Sequence, residues 1–131
     1  MVKTDIRVIY GDTDQMGVVY YANYLRYFEA GRNEYLRAHG LRYREFESTH
    51  QVFLPVVEVQ ARYQQPARYD DLLSVYTELA RIGRASVRFQ YRVERDGVLL
   101  ASGHTLHACV TRSGEVTALP QSVVTLLRGS G

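Results

Sequence analysis

Apolar and polar positions follow two periods along this chain: three to four near the start, two over most of the second half. Residues 4–10, TDIRVIY, place Ile6, Val8 and Tyr10 on one face of a first strand and Arg7 and Ile9 on the other. Gly11-Asp12-Thr13-Asp14 breaks that alternation with turn formers. From about Ala22 to Ala38 the spacing turns helical. Tyr20, Tyr24, Tyr27, Gly31 and Tyr35 recur at steps of three and four, with Phe28 and Leu36 beside them and Arg26, Arg32, Asn33 and Arg37 on the other side. Asn23 suits the N-cap and His39-Gly40 the stop. Gly31 in mid-helix costs about 1 kcal/mol relative to alanine, so its use is close approach by a neighbouring element.

Residues 41–49 read as a short helical turn or a loop. Strands are then expected at about 52–63, 72–82, 85–95 and 98–111, with a short last one at 115–118. Ile82-Gly83-Arg84 and Asp96-Gly97 are hairpin signals between them, and Pro66 with Asp70-Asp71 marks a longer connection. Pro120 opens a terminal helix with Val123, Val124, Leu126 and Leu127 on its apolar side. No repeat or linker interrupts the order, so residues 1–131 read as one domain of α+β class with a single long helix for a whole antiparallel sheet. A helix this apolar around its circumference predicts a sheet that curls about it. The long edge strand then needs cover, which a second subunit pairing edge to edge would supply.

Composition narrows the functional classes. The longest apolar runs are a few residues, and MVKTDIRV lacks the apolar region of a signal peptide, so a cytoplasmic protein without membrane insertion is expected. Net charge is +2 with no block of basic residues, which argues against a nucleic-acid partner. Lys3 is the only lysine, so almost every cation is an arginine fork able to grip phosphate. Cys109 is the only cysteine and reads as a buried structural thiol. His104 and His107, three apart in a strand, face opposite sides and cannot ligate a metal together, so no metal site is expected.

The segment that carries chemistry is Tyr10-Gly11-Asp12-Thr13-Asp14-Gln15-Met16-Gly17-Val18-Val19-Tyr20-Tyr21-Ala22-Asn23-Tyr24. Two carboxylates stand two apart in a loop just before a helix, and Gly17 follows Asp14 by three. Such a place offers free backbone N–H groups and the positive end of a helix dipole, which hold a carboxylate ionised and polarise a carbonyl oxygen. On residue types alone, turn capping by Asp12 and Asp14 is the plainer reading.

The run YGDTDQMGVVYYANYLRYFEAGRNEYLRAHG resembles the signature of the 4-hydroxybenzoyl-CoA thioesterase family. A second match is Ala61-Arg62-Tyr63-Gln64-Gln65-Pro66-Ala67-Arg68-Tyr69-Asp70-Asp71-Leu72, similar to that family's Tyr-x-x-Pro-Ala-Arg-x-Asp-Asp connection. The likeness runs over essentially the full length. It implies the hotdog fold, a curved antiparallel sheet wrapped around one long central helix with a short C-terminal helix. It also implies hydrolysis of a short-chain or aromatic acyl-CoA at sites on the interface of a homodimer or homotetramer. Coenzyme A would enter only as part of the substrate, with no cofactor.

By the same resemblance Asp14 is the catalytic carboxylate, as nucleophile or general base. The backbone around Tyr21 would polarise the thioester carbonyl, and Asp12 would tie the loop. Gly17, Val18, Tyr20 and Tyr24 would line the substrate. Members of one bacterial branch often carry His where Tyr21 stands here, which moves this chain toward the aroyl-CoA branch. Glu58, charged in the apolar strand LPVVEVQ, is a candidate pocket-facing group. Arg84, in the Gly83 hairpin, is the first choice for a CoA phosphate contact. Glu29 is a more distant candidate beside the site. The alternatives are a hotdog hydratase, for which the loop lacks an Asp/His or Glu-based pair, and a non-catalytic acyl-CoA or acyl-carrier binding module.

Overall fold

In this computed structural model, which describes residues 1–129, the chain orders as β1 (Val2–Arg7), α1 (Asn23–Ala38), α2 (Tyr43–His50), β2 (Val52–Phe53), β3 (Val56–Tyr63), β4 (Leu72–Ile82), β5 (Ser86–Arg95), β6 (Val98–Ala108), β7 (Val110–Thr111) and α3 (Gln121–Gly129). Five strands form one antiparallel sheet in the order β1-β4-β5-β6-β3, while β2 and β7 pair separately. Alternate residues point to one face: Leu73, Val75 and Thr77 from β4, Val87, Phe89, Tyr91 and Val93 from β5, and Ala101, Thr105 and His107 from β6 are all buried. Across that face lies α1, burying Tyr24, Tyr27, Phe28, Tyr35 and Leu36. The Phe28 and Tyr91 rings stack at 4.4 Å with 6° between planes. A Cβ on Gly31 would stand 2.5 Å from Thr77 Oγ1 and 2.9 Å from Val75 Cγ1, so β4 is the element whose approach the glycine permits.

The helix ends as expected. Gly40 takes φ +82°, and the Leu41 N–H turns back to the Leu36 carbonyl at 2.8 Å. Its start differs. Ala22, not Asn23, holds the cap position, and the Asn23 amide instead donates to the Asp12 carbonyl at 2.9 Å. The first strand stops at Arg7 because Tyr10–Asp12 coils into a 3-10 turn. The expected strand 52–63 is two strands on different partners, since Pro55 has no N–H to continue a ladder. The expected 98–111 likewise divides at Cys109, whose N–H goes to the Ala85 carbonyl. Residues 115–118 form only an isolated bridge, Val110 to Val116. Residues 43–50 are a helix, which settles the open reading of that region.

One edge of the sheet is β3. Every residue of it except Ala61 is exposed. Val59 and Tyr63 sit opposite Thr105 and Ala101, on the helix-facing side, yet remain 43% and 49% exposed. No helix of the described residues is long and apolar enough to cross a membrane.

Candidate active site

Between β1 and α1 the chain folds into a loop whose anchor is Asp12. Its carboxylate is buried and accepts the Tyr27 hydroxyl at 2.9 Å, the Ile9 N–H at 3.3 Å and the Arg26 guanidinium at 3.1 Å. Its carbonyl accepts the Tyr20 N–H and the Asn23 amide, each at 2.9 Å. Burial and this hydrogen bond to the carboxylate both raise the Tyr27 phenol well above its ordinary range, so it stays a donor. Asp12 is therefore the structural member of the acidic pair.

Asp14 is placed differently. It is half-buried; Oδ1 accepts the Met16 N–H at 2.9 Å, and Oδ2 has no partner among the described residues. Its backbone closes a tight turn, with the Asp14 N–H on the Val18 carbonyl at 2.9 Å and the Gly17 N–H on the Asp14 carbonyl at 3.0 Å. Gly17 takes φ +80°, the left-handed region that a residue without Cβ enters freely. Three residues beyond Val18, the chain turns into α1. The N–H groups of Tyr21 and Ala22 meet no acceptor among the described residues. One carboxylate oxygen and two helix-entry N–H groups thus stand unsatisfied in a single loop.

Beside this loop is a cleft of about 360 Å³ lined by Val18, Val19, Tyr21, Tyr24, Tyr63 and residues 64–66. Its aromatic wall is continuous: Tyr20 to Tyr21 at 4.7 Å, Tyr21 to Tyr63 at 6.4 Å and Tyr24 to Tyr63 at 5.2 Å between ring centroids. The Tyr63 hydroxyl donates to the Tyr21 carbonyl at 3.2 Å. Tyr20 is raised above the usual phenol range, first by its hydrogen bond with Tyr21, and Tyr24 is raised chiefly by burial.

The second sequence motif braces this cleft. The Val19 N–H donates to the Ala67 carbonyl at 2.8 Å. Asp71 Oδ2 accepts the Arg68 N–H at 2.8 Å and Arg95 at 2.7 Å, and Arg95 also reaches the Pro66 carbonyl at 3.2 Å. Burial alone would raise the Asp71 carboxyl, but these donors outweigh it and leave it lowered.

Of the expected residues, Val18, Tyr21 and Tyr24 line the cleft, and Asp14, Gly17 and Tyr20 stand in the loop beside it, outside its lining. Glu58 and Arg84 are not in this region. Glu58 pairs across from Leu106 on the outer face of the sheet and lies 3.3 Å from His104 Nε2, so the expectation that it faces the pocket fails within the chain. The alternation of β3 turns it away from α1. Arg84 is exposed in the hairpin at the end of the sheet where Val56 and His107 pair, opposite the Tyr63 end. Tyr63 and residues 64–66 were missed as lining, although they stand in the second motif; only strand register shows that they meet α1. Cys109 is buried, with its thiol pushed up by burial. No group of three or more His, Cys, Asp or Glu among the described residues could hold a metal.

The family model described as "Thioesterase-like superfamily" matches residues 8–127. A hypothetical protein from Thermus thermophilus has a solved structure superposing with a TM-score of 0.91 at 41% identity, covering 97% of each chain. The acyl-CoA thioester hydrolase YbgC of Escherichia coli O157:H7 is 36% identical over 121 residues, 91% of this chain and 90% of that one. The 1,4-dihydroxy-2-naphthoyl-CoA hydrolase of Synechococcus elongatus is 32% identical over 118 residues, 88% and 87% of the two chains.

Proposed function

This chain belongs to the thioesterase-like superfamily and has its hotdog fold, and from that premise we propose that it hydrolyses a short-chain or aromatic acyl-CoA to the free acid and coenzyme A. The observation that carries the reading is the free Asp14 Oδ2 in the same loop as the unpaired Tyr21 and Ala22 N–H groups. The thioester carbonyl would accept from those N–H groups, whose fixed dipoles stabilise the oxyanion of the tetrahedral intermediate. Asp14 would either attack the carbonyl carbon, expelling CoA thiolate and forming an anhydride that water then opens, or take the proton from an attacking water. Thiolate leaves readily, so no strong acid is required. The products are R-COOH and CoA-SH.

The exposed β3 edge supports a homodimer as part of this reading. Two copies of β3 paired antiparallel would extend the sheet and cover Val59 and Tyr63 with the partner's helix layer. Antiparallel pairing sets the Tyr63 end of one chain beside the Val56 end of the other. The partner subunit's Arg84 hairpin then lies toward the Asp14 end, which is how Arg84 could meet a CoA phosphate it cannot meet within one chain. Thiol release from purified protein over short, long and aromatic acyl-CoAs tests the activity. Turnover on part of that panel supports hydrolysis and names the acyl class. A folded dimer that binds CoA and releases none from any substrate supports the non-catalytic binding module instead.

A further inference from the structure

A second cavity, of about 260 Å³, opens between the middle of α1 and the Val56 end of the edge strand, lined in part by buried Leu36 and Phe89 and by Arg32, Asn33 and His107. Behind it runs a buried relay whose direction is fixed by donor counting. His107 Nδ1 contacts the Leu54 carbonyl at 2.9 Å; a carbonyl only accepts, so Nδ1 carries the proton. Burial lowers the His107 pKa to about 4, so the ring is neutral and Nε2 accepts the Thr105 hydroxyl at 2.8 Å. Thr105 Oγ1 then accepts from Tyr91 at 2.6 Å, and the Tyr91 oxygen accepts from Arg32 at 3.1 Å. The relay consumes one Arg32 donor. The guanidinium has no other hydrogen-bond or ion-pair partner among the described residues, so it stands oriented at the cavity with its remaining donors open.

We propose that this cavity receives the distal end of the acyl group and that Arg32 selects acyl groups carrying an oxygen acceptor there. This rests on the thioesterase and edge-paired dimer readings above. Within one chain, Arg32 stands nine residues into α1 from Asn23, roughly 14 Å along the axis from the helix start beside the Tyr21 N–H. In the antiparallel dimer the Val56 end lies beside the partner's Tyr63 end, so the cavity of one chain continues the cleft of the other. A plain alkyl end entering it would strip water from Arg32 and return no hydrogen bond, whereas a hydroxyl or carboxylate oxygen would accept one. Glu29 borders the same cavity, which favours the hydroxyl over the carboxylate.

The experiment compares kcat/KM for alkanoyl, ω-hydroxyalkanoyl and ω-carboxyalkanoyl CoA thioesters of four, six and eight carbons, in wild type, Arg32→Gln and Arg32→Lys. The expected result is a wild-type preference for an oxygenated end that falls about tenfold or more in Arg32→Gln, chiefly through KM, and recovers in part in Arg32→Lys. A mixed dimer of Asp14→Asn and Arg32→Gln chains contains one site with both residues intact in trans and should show the wild-type ratio. A ratio unchanged in folded Arg32→Gln at every length overturns the selection by Arg32, and a mixed dimer with the Arg32→Gln ratio overturns the placement in trans. Turnover with an unchanged ratio sinks this inference alone; absence of turnover on every acyl-CoA sinks the thioesterase reading with it.

Discussion

The Tyr27 hydroxyl donates to the buried Asp12 carboxylate at 2.9 Å, and together with the Arg26 and Asn23 bonds to Asp12 it fixes the loop carrying Asp14 to the first two turns of the central helix. Asp12 also holds the Ile9 and Tyr20 backbones, so both ends of the loop close on it. Asp14, two residues on, spends only one carboxylate oxygen on the loop itself. The pair divides its work: one acid is sacrificed to geometry, and the other is left available to a ligand.

Tyr27→Phe should lower stability by about 1.5–3 kcal/mol, the range for a hydrogen bond to a charged group, because Asp12 stays buried with one donor fewer. Urea unfolding reads this as a lower midpoint at unchanged slope.

Gly31→Ala should be destabilising by about 1–3 kcal/mol despite the gain in helix propensity. The new Cβ meets Thr77 and Val75 of β4, and neither can swing away inside the core. Thermal or denaturant unfolding checks the sign, which is opposite to that expected of an exposed helical glycine.

Acid should weaken the fold through His107. Its folded pKa is lowered to about 4 against an unfolded value near 6.5, so the unfolded chain takes up a proton first as pH falls. The stability is fully present above about 6.5 and is lost on descent toward 4, on the order of 3 kcal/mol in all. His107→Gln, which keeps a donor for Leu54 and an acceptor for Thr105, should flatten that part of the stability profile.

Val59→Asp places a charge on the exposed, helix-facing side of β3. On the proposed edge-paired dimer, sedimentation should find a dimer for the unaltered chain and a monomer for Val59→Asp, with hydrolysis reduced at least about tenfold by loss of the partner's contribution.

Much of this was legible in the residues, for identifiable reasons. The long helix, its glycine and its stop follow from spacing and from Gly40, and the hairpins follow from Gly83 and Asp96-Gly97; each is a local signal. The breaks at Pro55 and Cys109 were missed because a continuous apolar run hides a change of pairing partner. Asn23 was misassigned as a cap because its bond to Asp12 crosses eleven residues. At the site, the acidic pair and the tyrosines near it stand in one segment and could be found together. Glu58 was misplaced because a strand's face depends on register, here shifted by the irregularity between Val56 and Glu58. The Arg32 relay joins α1, β5 and β6, and no spacing within one segment encodes it.

The central claim is that Asp14 performs hydrolysis while Tyr21 contributes through its backbone. CoA release should be followed for wild type, Asp14→Asn and Tyr21→Phe on the best acyl-CoA of the panel. The account predicts a loss of at least about a hundredfold in Asp14→Asn and a change of only a few-fold in Tyr21→Phe, which keeps its N–H. A folded Asp14→Asn that retains wild-type turnover would contradict it.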